Sequence, residues 1–506
     1  MISRRSLIRA GAGAGLAVAA VGAGTAPVAA GSRDKWNRLR SAIQGDVVLP
    51  SDDGYALAKQ GQFIQYDAIN PAAIAFCETP QDVRTCVLFT QVCGLPLRVR
   101  SGGHNLNGWS TGEGLIIDVG RIAHTTVTGR TVRVGPGSQS VDALSALAPL
   151  GLQLVTGTCP TVRAGGFISG GGVGFQTRPF GTASDQVVSA KVVLADGRIV
   201  NCSATSEPDL YWAVRGGGGG NFGIVVDFEV RPVEAPRMVT YNTLWSYEDA
   251  PAVIAAWQAW MLEASRKLGS SLFVLPPGGG GTAGEPLIRI YGGHHGTEAE
   301  LTAALAELTE RAGVQPVSST THDDSFSEAM KSLYGCGELT LDQCHRSGSQ
   351  PGAQLYRTPY QQQSFRLSDR AAGSAEISNL VAAYDAQAAE IPFRFIQAFA
   401  LGGAANDVAP GASAYVHRSA QFLIGFQSFD LNPQPAPEVV AQHAAWTDRA
   451  AAALTPLASG SYINFPSSRL NNDWGRANYG DNYTRLRAVK RRYDRWGVFD
   501  HPGGVA

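Results

Sequence analysis

The sequence carries little charge, and what it carries is balanced. Only 16% of its 506 residues are Asp, Glu, Lys or Arg, against about 25% in an average globular protein. The 41 basic residues nearly cancel the 42 acidic ones, and the only notable run of like charge is the short Lys490-Arg491-Arg492. We therefore expect neither a nucleic-acid partner nor binding to a charged membrane surface.

Cysteines spaced as metal ligands are missing as well. The seven cysteines include no C-x-x-C pair, so we predict no metal site. Cys336 and Cys344 are close enough in sequence to form a short disulfide loop, although spacing alone does not decide this. Because the number of cysteines is odd, at least one stays outside any pairing.

Long apolar runs are absent too. Residues 10–32 are uncharged, but Ala and Gly dominate them, which provides too little transfer free energy for a membrane span. The preceding Ser3-Arg4-Arg5-Ser6-Leu7-Ile8 resembles a twin-arginine export signal. We therefore predict that residues 1–30 are a signal peptide, that the protein is secreted by this route, and that it has no stable membrane anchor. Because the pathway carries folded proteins, it also favours a cofactor loaded before export.

Glycine, in contrast, is abundant. The chain has 60 glycines in 506 residues, about 12% against a usual 7% or so. Collagen and low-complexity linkers are excluded, because 44% of the residues are hydrophobic and nine are Trp. The glycines instead form three clusters at 100–105, 157–174 and 216–223, as expected where a backbone takes positive φ or approaches a ligand closely.

None of these clusters has the strand, G-x-G-x-x-G, helix order of a dinucleotide-binding βαβ unit. The first cluster ends a predicted strand with a tight turn, whose consecutive N–H groups are suited to an anion such as a pyrophosphate. The second cluster would let a large flat ligand lie against the backbone.

The chain divides into parts of different pattern. Short strands, turns and a few helices run from residue 34 to 236 and predict an α+β half. Pro232 and Pro236 interrupt this pattern and mark a boundary. From 237 to 455, strands alternate with long Ala-rich helices, which predicts a sheet covered by helices on one side. Residues 456–506 form an aromatic and polar tail.

Five short motifs follow one another along the chain. They are Ser101-Gly102-Gly103-His104, Thr158-Cys159-Pro160-Thr161-Val162, Gly165-Gly166 with 169–172, Tyr462-Ile463-Asn464-Phe465, and Tyr479-Gly480-Asp481-Asn482-Tyr483. In this order they resemble the berberine bridge enzyme group of the vanillyl-alcohol oxidase flavoprotein superfamily. The resemblance covers nearly all of the chain after the signal.

The resemblance implies an α+β, two-domain, PCMH-type FAD-binding fold. Residues 34–236 would form the FAD-binding domain, 237–455 a substrate domain with an antiparallel sheet, and 456–506 a segment that returns to the FAD-binding domain. It further implies FAD bonded at its 8α-methyl to His104 and at C6 to Cys159. The other implied cofactor-binding residues are Arg100, Ser101, Gly102, Gly103, Asn105, Thr158, Gly165, Gly166, Ser169, Gly170, Gly174, Gly223, Val225, Asn464 and Tyr479.

Oxidation of a C–OH group needs hydride transfer to flavin N5 and a base for the hydroxyl proton. The resemblance implies Tyr462 as that base, which requires stabilisation of its phenolate. We expect an exported oxidase that converts an alcohol on a sugar or glycosylated natural product to a carbonyl, with O₂ as electron acceptor. The alternatives are a flavin dehydrogenase or oxidative cyclase acting on a phenol or amine, and a secreted carbohydrate-binding protein, which would leave His104 and Cys159 unexplained. Nothing in the sequence indicates an oligomeric state.

One strand departs from the family pattern. Where several members carry a polar residue that assists catalysis, Ile424 and Phe426 occupy the expected places. Gln421, Gln397 and Tyr415 are candidates for the missing partner, and the sequence does not choose among them. Phe167 is also open, because it either lines the flavin face or packs in a core, and Trp109 is a candidate to reach the substrate side of the flavin.

Overall fold

The computed structural model describes residues 28–279, 284–468 and 473–506. The predicted signal peptide therefore lies outside the described residues, except for its last three positions. The chain divides into two compact units, 1–38 and 39–506. Of the first, the structure describes the stretch from Val28, where helix α1 (Val28–Ala42) begins. No helix among the described residues has the length and apolar character needed to cross a bilayer.

The second unit begins with a small sheet in the order β1-β2-β4-β3, in which only β1 runs antiparallel to its neighbour. The helix between β2 and β3 starts at a capping box, in which Thr79 and Asp82 satisfy each other's backbone N–H groups. Because β3 ends at Arg100, the first glycine cluster emerges at the carboxyl edge of a parallel pair. The elements are β1 (Asp46–Val48), α2 (Tyr55–Ala58), β2 (Ala73–Phe76), α3 (Pro80–Val92), β3 (Leu97–Arg100) and β4 (Leu115–Asp118).

A five-stranded antiparallel sheet follows, in the order β5-β6-β10-β8-β9, with a separate two-stranded pairing of β7 and β11. The second glycine cluster contributes the short helix α5, and the third lies immediately before β10. The elements are β5 (Thr125–Thr128), β6 (Thr131–Val134), α4 (Ser140–Leu147), β7 (Leu152–Gln153), α5 (Ala164–Ser169), α6 (Thr177–Phe180), β8 (Val187–Val193), β9 (Ile199–Ser203), α7 (Pro208–Ala213), β10 (Ile224–Val230) and β11 (Val233–Glu234).

A seven-stranded antiparallel sheet dominates the rest, in the order β15-β12-β14-β13-β17-β18-β16. One face of it packs against α8, α9, α11 and α12 around the fully buried Trp257, Trp260 and Trp446. The elements are β12 (Arg237–Ser246), α8 (Ala250–Glu263), β13 (Leu268–Leu275), β14 (Leu287–His294), α9 (Glu298–Ala312), β15 (Ser318–Ser325), α10 (Phe326–Leu333), β16 (Tyr360–Ser368), α11 (Ser374–Asp385), β17 (Arg394–Ala400), β18 (Phe422–Asp430) and α12 (Pro437–Leu454).

The chain then returns to its first half. Helices α13 (Trp474–Tyr479) and α14 (Asn482–Tyr493) place Tyr479, Leu486 and Tyr493 in the same core as Trp212 and Phe222. The predicted fold class, an α+β fold whose antiparallel sheet is covered by helices, is confirmed.

Cys336 and Cys344 form a disulfide with their Cα atoms 5.9 Å apart. The other five cysteines are free, and of these only Cys159 is exposed. No group of three or more His, Cys, Asp or Glu side chains suited to a metal ion occurs in the part of the chain that the structure describes.

Candidate active site

A cavity of about 460 Å³ lies between the glycine clusters and the uncovered face of the large sheet. A pocket of this size with a few converging polar groups is the usual form of a cofactor or substrate site. Twelve of the residues predicted from sequence line it: Ser101, Gly102, Gly103, His104, Asn105, Thr158, Cys159, Gly165, Gly166, Ser169, Val225 and Asn464.

The loop after β3 has the shape of an anion cradle. Gly103 has φ +70°, and a Cβ there would lie 2.9 Å from Cα of Gly61, so the turn requires glycine. In the described structure the amides of Gly102, Gly103 and His104 donate no hydrogen bond. The guanidinium of Arg163 lies beside this loop and donates to the Ser101 carbonyl at 2.7 Å.

His104 lies on the cavity wall with its Nε2 atom 2.7 Å from Oγ1 of Thr161. Burial, together with the nearby Arg346 and Arg163, lowers the pKa of His104 to about 4. The imidazole is therefore neutral at neutral pH and retains a nucleophilic lone pair.

Cys159 reaches the same cavity from a different loop. Its side chain is exposed to the cavity space but surrounded by protein, and burial raises the pKa of its thiol. His104 and Cys159 therefore approach one space from two separate segments, as two attachment points for a single flat molecule would require.

Several predicted residues support the cavity from behind instead of lining it. Arg100 forms a buried ion pair with Asp118 and donates to the Ala58 carbonyl at 2.7 Å. Tyr479 donates to the Gly217 carbonyl at 3.0 Å, which holds the third glycine cluster in place.

Three predicted glycines provide space for neighbouring groups. A Cβ would come within 2.1 Å of Asn464 Oδ1 at Gly170, within 2.1 Å of the Thr156 carbonyl at Gly174, and within 2.5 Å of Val192 at Gly223.

Tyr462 also lies one layer behind the wall. Its hydroxyl oxygen accepts hydrogen bonds from the Gly172 amide at 2.8 Å and from Asn464 Nδ2 at 3.0 Å. Burial raises the pKa of this phenol above its ordinary value, whereas the two hydrogen bonds act to lower it. The segment is a turn, and it presents Asn464 and Phe465 to the cavity.

The large sheet contributes amides to the cavity. Gln361 donates from Nε2 to Gln427 Oε1 at 3.2 Å, and Gln427 donates in turn to Gln397 Oε1. Gln397 Nε2 donates no further hydrogen bond among the described residues, so this amide row ends on a free donor beside the cavity. Phe399 and Phe429 lie next to it on the same wall.

The expectation that Ile424 and Phe426 face the site is wrong. Both lie in the core beneath the helices, because alternate residues of a strand point to opposite faces, and Gln427 and Phe429 face the cavity instead. Of the three candidates for a polar partner, Gln397 lines the cavity, whereas Gln421 and Tyr415 do not. Phe167 and Trp109, the two open cases, both line it.

Sequence reasoning missed His501. Its ring lies on the cavity wall, both nitrogens are buried without a hydrogen-bond partner in the described structure, and it tilts against Trp109 at 5.9 Å. Burial, then the nearby Arg98 and Lys490, lowers the pKa of His501 to about 4. Sequence offered only a weak signal, a lone histidine in a polar tail.

Comparison with known proteins agrees with this site. Residues 71–203 match the family model described as FAD binding domain, and residues 461–506 match the one described as berberine and berberine like. These segments carry the His104 and Cys159 loops and the Tyr462–Phe465 turn.

Relatives match over most of the chain. The uncharacterized FAD-linked oxidoreductase YgaK of Bacillus subtilis is 29% identical over 467 residues, which are 91% of this chain and 96% of that protein. Glucooligosaccharide oxidase of Sarocladium strictum is 28% identical over 494 residues, 92% of this chain and 94% of that protein.

Among solved structures, glucooligosaccharide oxidase from Acremonium strictum, described with a 6-S-cysteinyl, 8α-N1-histidyl FAD, matches with a TM-score of 0.80. The match has 24% identity and covers 93% of this chain and 99% of the other, which establishes a shared fold. The chain therefore contains an FAD binding domain and a berberine and berberine like segment, and over most of its length it resembles proteins named as FAD-linked oxidoreductases and oligosaccharide oxidases.

Proposed function

We propose that this protein oxidises a CH–OH group of a neutral, hydroxyl-rich substrate, a sugar or a glycosylated natural product, to a carbonyl. In this proposal FAD is bonded to both His104 and Cys159, and O₂ accepts the electrons. The observation that carries the proposal is one cavity with the two attachment residues on one wall and the amide row on the other.

The residues present fit FAD. The free amides of Gly102, Gly103 and His104 and the adjacent Arg163 suit an anionic diphosphate, because consecutive N–H groups and a guanidinium both favour negative charge. His501 adds an imidazole to the cavity wall beside the glycine backbone at Gly219. When bound, FAD supplies a two-electron acceptor for hydride.

The opposite wall suits a neutral polar substrate. Gln361, Gln427 and Gln397 offer amide donors and acceptors, and no Asp, Glu, Lys or Arg of the described sheet lines the cavity with them. Hydroxyl groups pair with such amides, whereas a charged substrate would find no counter-ion on this wall. The sequence relative named glucooligosaccharide oxidase supports a saccharide as the substrate class.

Tyr462 is the proposed acceptor of the hydroxyl proton. Burial raises the pKa of this phenol, and its two hydrogen-bond donors offset part of that rise by stabilising the phenolate. Because Tyr462 lies behind Asn464 and Phe465, the proposal requires the substrate hydroxyl to reach its oxygen past the Asn464 amide.

We also propose that the protein is exported by the twin-arginine pathway. The support is the Arg4-Arg5 pair ahead of the uncharged residues 10–32. Replacing both arginines by lysine should retain the protein inside the producing cells, whereas unchanged secretion would contradict this route.

Two measurements test the proposed activity. Acid precipitation of the purified protein should give a yellow pellet and a colourless supernatant, because the flavin is covalently bound; the reverse would contradict the attachment. The second measurement is peroxide release from a panel of neutral sugars, charged sugars, amines and phenols. We expect peroxide with the neutral sugars, and turnover of amines alone would contradict the substrate class.

Variants of the amide row test the proposed substrate contact directly. Gln397→Leu should raise KM for the active sugar by about tenfold, because a substrate hydroxyl loses its partner. Gln421→Leu removes a glutamine that is outside the cavity lining and should leave KM unchanged.

A further inference from the structure

One nitrogen of the His104 ring is already engaged. Nε2 lies 2.7 Å from Oγ1 of Thr161, whereas Nδ1 has no hydrogen-bond partner among residues 28–279, 284–468 and 473–506. Thr161 is 7% exposed, and its hydroxyl forms no second hydrogen bond within those residues. The contact is therefore specific to these two side chains.

This contact bears on which nitrogen is reactive, because the Thr161 hydroxyl either accepts from Nε2–H or donates to Nε2. A neutral imidazole has one N–H donor and one lone pair, and the partner of one nitrogen fixes the state of the other. When the threonine oxygen accepts from Nε2–H, the lone pair lies on Nδ1. Because His104 lines the cavity and Nε2 is turned to Thr161, Nδ1 is the nitrogen left for a ligand in the cavity.

We propose that Thr161 is a positioning residue for covalent flavin attachment, which holds His104 as the tautomer whose Nδ1 attacks the 8α carbon of FAD. The inference rests on the proposed double attachment of the cofactor.

The attachment step balances with O₂ as oxidant. A bond forms between Nδ1 of His104 and the 8α carbon, and one 8α C–H bond breaks. The two electrons of that bond pass into the flavin ring and then to O₂. The hydrogen lost from the 8α carbon and the hydrogen lost from Nε2 complete one H₂O₂. Thr161 holds the Nε2 hydrogen until it leaves.

The position of the Thr161 loop does not depend on this hydroxyl. The Val162 carbonyl accepts from the Ser140 amide at 3.0 Å, and the Pro160 carbonyl accepts from the Val141 amide at 3.0 Å. The first turn of α4 therefore holds the loop by its backbone. Removing the hydroxyl should leave Cys159, two residues earlier, in its present place.

The test compares Thr161→Val with Thr161→Ser. Valine keeps the shape but removes the acceptor, and serine restores it. Thr156→Val is the matched control, because Thr156 is also buried and its hydroxyl pairs with Tyr334 outside the cavity at 2.9 Å. Each apo-protein is mixed with FAD under air, quenched at intervals and digested with trypsin.

Mass spectrometry then separates the two attachments. Trypsin releases His104 in peptide 101–121 and Cys159 in peptide 134–163. In the wild type the flavin should join both peptides. In Thr161→Val, attachment to 101–121 should slow by about tenfold or more, the effect of losing one hydrogen bond at the reacting group, while attachment to 134–163 proceeds. Thr161→Ser and Thr156→Val should behave as the wild type.

The outcomes are distinguishable. Attachment to 101–121 at the wild-type rate in Thr161→Val would overturn the positioning role. Equal slowing at both peptides would also overturn it, because it would show a displaced loop. A wild-type protein with no flavin on peptide 101–121 would overturn the proposed double attachment itself, and the inference with it.

Discussion

Arg418 and Asp185 form a buried two-point ion pair that joins the two halves of the molecule. The two nitrogens of the guanidinium lie 2.8 and 2.7 Å from the two carboxylate oxygens, and the side chains are 2% and 9% exposed. Asp185 precedes β8 in the FAD-binding half, whereas Arg418 precedes β18 of the large sheet. The pair therefore helps to fix the two walls of the cavity relative to each other.

Arg418→Met should destabilise the protein by about 3–5 kcal/mol, because it leaves a buried carboxylate unpaired. The exposed pair Arg266–Asp407 has the same two-point geometry, at 2.6 and 2.9 Å, so Arg266→Met is the matched control and should change the free energy of unfolding little. Urea denaturation measures both. If both variants lowered the free energy of unfolding equally, burial would not be the reason for the effect of Arg418→Met.

The Arg418–Asp185 pair also predicts that the protein loses stability at low pH. Burial alone would raise the pKa of Asp185, but the hydrogen bonds from Arg418 and Thr182 outweigh it and lower that pKa below its ordinary value. A lowered carboxyl pKa gives stability that is complete above the unfolded pKa, about 4, and is lost as the pH falls through the folded pKa. In Asp185→Asn, the fall of unfolding free energy below about pH 4 should be shallower than in the wild type.

His501 should contribute to FAD binding independently of the proposed covalent bonds. In a His104→Ala, Cys159→Ala background, His501→Ala should raise the Kd for FAD by about three- to tenfold, the effect of one lost neutral hydrogen bond. Fluorescence titration of the apo-protein measures this. His295→Ala is the control, because both of its ring nitrogens are also unpartnered, yet it lies between Phe180 and Phe326 and does not line the cavity. An unchanged Kd in His501→Ala would exclude a contact with FAD.

The sequence predicted those parts of the site that are built from consecutive residues, and it missed those that are built from distant segments. The Ser101–His104 cradle is a strand end followed by a turn, so four consecutive residues were enough to predict it. The amide row joins Gln361, Gln397 and Gln427 from three strands, and only the register of the large sheet brings them together.

Register also explains the error at Ile424 and Phe426. A shift of one residue turns a strand's side chains to the opposite face, and the sequence of β18 is apolar on both faces for its first half. His501 was missed for a related reason. Its place depends on distant anchors of the tail, in which Lys490 binds the Phe499 carbonyl at 2.6 Å and the Val505 amide donates to Asn221 at 3.0 Å.

The two proposed attachment residues, His104 and Cys159, should respond differently to pH. The pKa of His104 is lowered to about 4, so its imidazole is already neutral from pH 6 to 9, and attachment in Cys159→Ala should be nearly independent of pH in that range. Burial raises the pKa of the Cys159 thiol, so in His104→Ala the rate should rise with pH, by up to about tenfold per unit, because the thiolate is the nucleophile. Stopped time courses with added FAD measure both rates, and parallel pH profiles would contradict the assignment.

Tyr462→Phe tests the proposed base. The variant keeps the ring, which stacks on Phe465 at 6.0 Å, and removes the oxygen that accepts from Gly172 and Asn464. Flavin reduction by substrate should slow by about 10²-fold or more. Because burial raises the pKa of Tyr462, the wild-type rate should climb as the pH rises through the alkaline range, and the variant should lose that climb. Tyr415→Phe is the control, since the Tyr415 ring is equally buried and lies 6.0 Å from that of Tyr462 but outside the cavity lining. If Tyr462→Phe were reduced at the wild-type rate with an unchanged pH profile, Tyr462 would serve only to hold the Asn464 amide at the cavity wall.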